Sequence, residues 1–134
     1  MCGNHTGGVK INPFFPGKFQ PPHLGHVLTI SRIIDKYGFV IIGITDDGEH
    51  VIKKEAINRI FKQIFKEQVI CIYVEGTLVE QTSKCIPVSF DILLSGNEEV
   101  LRWAKKQGIT IERVHRSQGI GFCGTDLRRL LENR

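Results

Sequence analysis

Five short runs rich in β-branched and aromatic residues recur along this chain, and the segments between them carry apolar residues at helical spacing instead. The runs lie at 9–15, 39–44, 68–74, 90–94 and 110–114. They are close to continuously apolar rather than alternating, which is the pattern of strands covered on both faces. Residues 24–36 place Val27, Ile30, Ile33 and Ile34 on one side, with Tyr37-Gly38 as a stop. Residues 54–66 set Ile57, Ile60, Phe61, Ile64 and Phe65 at i, i+3, i+4, i+7 and i+8, with lysines on the other face. Further helices are expected over 98–107 and 126–133, and 76–88 is expected to be loop or irregular helix. The alternation predicts an α/β fold, Rossmann-like: a doubly wound parallel five-stranded sheet with helices on both faces. Ligands of such sheets bind outside the carboxyl ends of the strands, so the residues that directly follow strands are the ones to inspect.

A chain of 134 residues is the length of one domain. With 41% hydrophobic and 24% charged residues it can build a core without disulfides or a structural metal. Residues 1–8 are small and polar and are expected to form a disordered tail that includes His5, leaving 9–134 as the single folded domain. No apolar run is long enough to span a bilayer and no charged, then apolar, leader opens the chain, so no membrane partner is expected and the cytoplasm is the expected location. The 18 Lys and Arg against 14 Asp and Glu leave a formal charge of +4, which suits an anionic ligand. Nucleic acid is not expected, because the densest basic pairs, Lys53-Lys54, Lys105-Lys106 and Arg128-Arg129, are scattered and have no interleaved aromatics. Cys2, Cys71, Cys85 and Cys123 form no C-x-x-C pair and are expected to be reduced, buried thiols.

The chemistry concentrates after the first strand, in Pro16-Gly17-Lys18-Phe19-Gln20-Pro21-Pro22-His23-Leu24-Gly25-His26. This segment hands a strand over to a helix amino end, whose unsatisfied N–H groups and partial positive charge seat a phosphate. Gly17 and Gly25 let backbone approach a ligand closely. His23 and His26, three apart, face one ligand from a single turn, and imidazoles donate hydrogen bonds to phosphate oxygens as charge builds at an attacked phosphorus. Lys18 adds a mobile cation. As metal ligands the two histidines are poorly spaced and lack a third partner, so no protein-held metal is expected. Near the other end, Gly124-Thr125-Asp126 opens the last helix, where Thr125 is either a cap or a phosphate ligand and Arg128 either a fork onto phosphate or a surface cation. Asn97 carries the same two alternatives, helix cap or nucleotide contact.

Gly17 to His26 resembles the G-x-F-x-P-x-H-x-G-H signature of the nucleotidyltransferase superfamily, and is especially similar to the archaeal-type nicotinamide mononucleotide adenylyltransferases. Cys123-Gly124-Thr125-Asp126-Leu127-Arg128-Arg129 looks like that family's S-G-T-E-x-R-R motif. Asp91-Ile92-Leu93-Leu94-Ser95-Gly96-Asn97 is similar to the strand and turn that lies against the nucleotide. The three together cover most of the chain, from about residue 9 to residue 132.

The resemblance implies an enzyme that joins an NTP, preferably ATP, to a phosphorylated small-molecule acceptor and releases pyrophosphate. The acceptor phosphate attacks the α-phosphorus in line, without a covalent intermediate, so that catalysis is positioning and charge stabilisation. It also implies Mg²⁺ carried largely by the phosphates and water, and a homo-oligomeric assembly. By carry-over His26 contacts the α-phosphate, while His23, Lys18, Thr125 and Arg128 hold the β and γ phosphates. Gly17, Phe19, Gly25, Ser95, Gly96, Asn97, Ile120 and Gly124 complete the nucleotide site.

Lys18 stands where the family usually has Arg, and Cys123 where it has Ser. The stretch 76–88 lacks the tryptophan-bearing segment those enzymes use near the nicotinamide; the one tryptophan, Trp103, is expected in packing on a helix. Two alternatives therefore stay open. One is a cytidylyltransferase acting on a small phosphorylated alcohol, because Arg116-Ser117-Gln118-Gly119-Ile120 resembles R-T-x-G-I of that group. The other is a non-catalytic nucleotide-binding regulator.

Overall fold

The computed structural model describes residues 10–80 and 86–114. Five strands, β1 (Pro13–Gly17), β2 (Val40–Asp46), β3 (Val69–Glu75), β4 (Ile92–Ser95) and β5 (Ile111–Arg113), form one sheet in the order β3-β2-β1-β4-β5. Every pairing is parallel. Three helices connect them: α1 (Leu24–Tyr37), α2 (Lys54–Phe65) and α3 (Glu98–Lys106). The expected tail 1–8, the expected helix 126–133, and Cys2, Cys85 and Cys123 lie outside the described residues. No helix among the described residues is long and apolar enough to cross a membrane.

Period-two alternation sorts neighbouring strand residues onto opposite faces of this sheet. Phe15, Ile42 and Leu94 join the buried faces of α1 and α2, with Ile30, Ile33, Ile57 and Phe61 among the packed residues. Phe14, Ile41 and Leu93 point the other way and pack with Leu101, Trp103 and Ala104 of α3. Helices thus cover both faces, as the continuous apolar runs require. Trp103 is in this second core, where packing was expected for it.

Local devices bound two of these helices. Gly38, at φ +90°, closes α1 by donating its N–H to the Ile34 carbonyl at 2.7 Å. Asn97 caps α3, its Oδ1 accepting the N–H groups of Glu99 and Val100. Glu98 and Glu99 in the first turn and Lys105 and Lys106 in the last complement the helix dipole.

Several expectations are corrected. The first strand runs 13–17, not 9–15, so Pro16-Gly17 lies inside β1 instead of stopping it. The β1–β4 ladder ends at Phe14↔Leu93, while β1 continues along β2 to Gly17↔Ile44, so Pro16 lacks an N–H only where the β4 side asks for none. On α2 the buried stripe is Ile57, Phe61 and Phe65, and Ile64 is exposed, because α2 lies over β2 and the edge strand β3 and the outer part of its face overhangs that edge. In 76–88, in keeping with the loop or irregular helix expected there, the described part includes one 3₁₀ turn, Leu78–Glu80. Cys71 is half-buried, not fully buried.

Two predictions follow from this packing. A Cβ built on Gly43 would lie 2.4 Å from Cζ of Phe14, whose ring is fully buried at the sheet centre. Gly43→Ala is expected to lower stability by about 1–3 kcal/mol through overpacking, read as a lower urea midpoint with an unchanged slope. Burial pushes the Cys71 thiol up to about 11, outweighing the nearby Lys62. Peptide mapping after iodoacetamide treatment at pH 8 should find Cys71 unmodified in the folded protein and modified in denaturant.

Candidate active site

Because β1 and β4 part company after Phe14 and Leu93, a crevice opens between them where the strand order reverses, the usual ligand position in such sheets. A cleft of about 720 Å³ occupies it. Its floor is the exit of β1, with Gly17 and Lys18, and the start of α1, with His23, Gly25, His26 and Thr29. One wall is Ser95, Gly96 and Asn97 after β4, joined by Glu99, Val100 and Val114. The opposite wall is Thr45 near the end of β2, Asp47 just after it, and residues 76–79 after β3.

The two histidines form one unit. Their rings stack at 3.7 Å with an angle of 20° between planes. The backbone N–H of His23 donates to Nδ1 of His26 at 3.1 Å. An Nδ1 that accepts cannot carry the proton, so in the neutral ring the proton sits on Nε2 and makes that atom a donor. The first turn of α1 holds no acidic side chain, so the positive end of the helix dipole beside the histidines is not offset there.

Beneath His26 the ring of Phe19 meets its edge at 4.8 Å and 81°, and Phe19 in turn meets Phe61 of the core at 5.1 Å and 82°. Phe19 adopts a left-handed φ of +53°, uncommon for a bulky residue, and that backbone turn brings its ring under the histidine. Gly17 makes room for it: a Cβ there would lie 2.7 Å from Cζ of Phe19. Phe19, expected among the nucleotide-site residues, does not line the cleft; it is buried in the core and supports the ring above it.

Gly17, Lys18, His23, Gly25, His26, Ser95, Gly96 and Asn97 come together on one cleft. Ile120, Gly124, Thr125 and Arg128, with 116–119 and Cys123, lie outside the described residues. Ser95 is buried and its Oγ accepts the N–H of Asn97 at 3.0 Å, while Asn97 spends its carboxamide oxygen on α3. Of the two alternatives for Asn97 the cap is therefore realised, at the cleft wall.

Sequence reasoning missed Thr45, Asp47 and residues 76–79, although their positions at or just after the ends of β2 and β3 were the available signal. Asp47 Oδ2 accepts from Lys18 Nζ at 3.1 Å across the cleft mouth. The N–H of Glu49, and then Lys18, hold the Asp47 carboxyl below the usual carboxylate range. Asp46 is held low in the same way, first by the N–H of Gly48 and then by His50 and Lys54.

Residues 14–72 match the Cytidylyltransferase-like family. It is 29% identical to nicotinamide-nucleotide adenylyltransferase 1 of Sulfolobus acidocaldarius, over 90% of this chain and 78% of that protein. It is 28% identical to the nicotinamide-nucleotide adenylyltransferase of Sulfurisphaera tokodaii, over 89% of this chain and 78% of the relative. A bifunctional NMN adenylyltransferase/ADP ribose pyrophosphatase from Francisella tularensis, complexed with AMP and a manganese ion, superposes with a TM-score of 0.64 at 16% identity. That match covers 93% of this chain but only 42% of the other. A lipopolysaccharide core biosynthesis protein from Thermoplasma volcanium superposes at 0.58 and 18% identity, over 82% of this chain and 100% of that one. At such identities the two structures establish the fold.

The histidine geometry makes a direct prediction. Long-range ¹H–¹⁵N correlation spectra above neutral pH should show His26 as the Nε2–H tautomer, with Nδ1 shifted as an acceptor. The opposite tautomer would mean that the His23 N–H bond is not formed in solution.

Proposed function

We propose that this cytidylyltransferase-like protein is an adenylyltransferase that transfers AMP from ATP to nicotinamide mononucleotide and releases pyrophosphate, with 9–134 as one catalytic domain. The observation that carries this reading is the stacked His23–His26 pair at the amino end of α1, on the floor of a cleft at the strand switch point. The choice of ATP and of the acceptor draws on the two archaeal relatives.

In the reaction an oxygen of the acceptor phosphate forms a bond to the α-phosphorus as the bond from that phosphorus to the bridging oxygen breaks, and pyrophosphate carries away the electron pair. No proton transfer or protein nucleophile is required, so the protein contributes alignment and charge stabilisation. His26 donates from Nε2 to an α-phosphate oxygen, where negative charge grows in the transition state. Lys18 and His23 hold the β and γ phosphates, together with Thr125 and Arg128. The backbone at Gly17 and Gly25 admits the phosphates closely. Ser95 and Gly96 border the nucleoside, with Ile120 and Gly124 in the same role.

A hard divalent cation at this cleft would take its ligands mainly from phosphate oxygens and water. Bound Mg²⁺ would neutralise charge on the leaving pyrophosphate. Homo-oligomeric assembly belongs to the same reading.

A second reading, a cytidylyltransferase of small phosphorylated alcohols, is favoured by Arg116-Ser117-Gln118-Gly119-Ile120. Pyrophosphate release with Mg²⁺, crossing ATP and CTP with nicotinamide mononucleotide, phosphopantetheine, glycerol 3-phosphate and phosphocholine, separates the two. Turnover is expected with ATP and nicotinamide mononucleotide. A CTP pair would replace the acceptor and nucleotide assignment, and binding without turnover in any pair would favour a regulator. His26→Ala is expected to lower kcat by about a hundredfold or more while ATP affinity changes little. Near-normal turnover of that variant would remove His26 from its role.

A further inference from the structure

Between Lys18 and His23, which face the cleft, Gln20 is committed elsewhere. Its Oε1 accepts the backbone N–H groups of Val51 and Ile52 at 2.7 and 2.8 Å, and its Nε2 donates to the Ile52 carbonyl at 2.7 Å. One carboxamide thus satisfies three backbone groups of the loop joining β2 to α2, a segment with no ladder of its own. The anchor point is seated, because Ile52 packs against the core that contains Phe19.

The same loop presents Asp47 to the cleft. Within it Asp47 Oδ1 accepts the N–H of Glu49 at 3.0 Å, and Asp46 Oδ1 accepts that of Gly48 at 2.9 Å with Lys54 at 3.6 Å from Oδ2. Lys18 and Gln20, two residues apart at the exit of β1, therefore grip one loop at two points. The Lys18–Asp47 grip is a part-exposed ion pair, and such a pair is too weak by itself to hold a loop. The Gln20 grip is directional and threefold. If the loop moved, the long Lys18 side chain would lose the partner that narrows its rotamers.

We propose that Gln20 is a positioning residue that pins the β2–α2 loop, so that Asp47 stays in place and holds the Lys18 ammonium at the mouth of the nucleotide cleft. The assignment of Lys18 to phosphate rests on the proposed function; the relay from Gln20 to Asp47 does not.

Two measurements test the relay and separate it from that reading. The first needs no nucleotide: ¹³C-detected pH titration of the Asp47 carboxyl. Gln20→Ala should move its midpoint up toward the ordinary aspartate range, because the pinned N–H of Glu49 and the Lys18 ammonium no longer hold the ionised form. Gln20→Glu, which retains both acceptor contacts and loses the donation to the Ile52 carbonyl, should move it less and keeps the test open should the alanine variant not fold. An unchanged midpoint in a folded variant overturns the relay, whatever the protein binds.

The second is calorimetric binding of ATP with Mg²⁺ to the wild type, Gln20→Ala, Lys18→Ala and the double variant. Gln20→Ala should weaken binding by about tenfold in the wild type and by less than about twofold when Lys18 is already absent, the non-additivity of residues acting through one another. Equal losses in both backgrounds would assign Gln20 a general structural role and overturn the proposal. A wild type that titrates as expected at Asp47 but binds no ATP would instead strike the nucleotide reading and leave the relay standing.

Discussion

The ring of Phe19 is the joint between core and chemistry. It packs edge-on to Phe61 below and to His26 above, against a Gly17 that can have no side chain there. Burying such a ring contributes about 1.5–3 kcal/mol, which is of the order of the 1–3 kcal/mol that an unfavourable φ costs. The strained turn is therefore sustained by packing rather than by a ligand. Through that contact the rigidity of the core is passed to the histidine pair, and the position of His26 is set before any phosphate arrives.

A second constraint is topological. β1 keeps its pairing with β2 to the end but leaves β4 after Phe14, and the space so created receives the exits of all five strands. Floor and walls come from segments far apart in sequence. Each contributes one kind of group: the strand–helix junction donors, the β4 turn backbone and a capped helix, the β2 loop a carboxylate that partners Lys18. The net positive charge of the chain is thus tempered at the cleft mouth by Asp47, whose carboxyl is committed to Glu49 and Lys18.

The sheet, its parallel sense, the helices α1 to α3 and the strand-to-helix junction that carries His23 and His26 were all legible beforehand. Each follows from local periodicity or from residue types adjacent in sequence. Strand ends were less legible, because a strand ends where its partner does, as β1 shows at Pro16. The face of α2 was drawn too wide, because periodicity does not report that β3 is a sheet edge. Asp47 was marked only by following a strand and Gln20 by nothing local: they acquire their roles only from Lys18 on one side and Ile52 on the other.

By itself the sequence determined the alternation that makes a doubly wound sheet and the order Gly17, Lys18, His23, Gly25, His26 at a strand-to-helix junction, since both depend on residues within a few positions of one another. Only the tertiary structure decided that Phe19 supports the site instead of lining it, that Asn97 is committed to capping α3, and that a loop about thirty residues away closes on Lys18 and Gln20. Those outcomes are fixed by packing and hydrogen bonds between segments distant in the chain, and such contacts exist only once the sheet has brought the segments together.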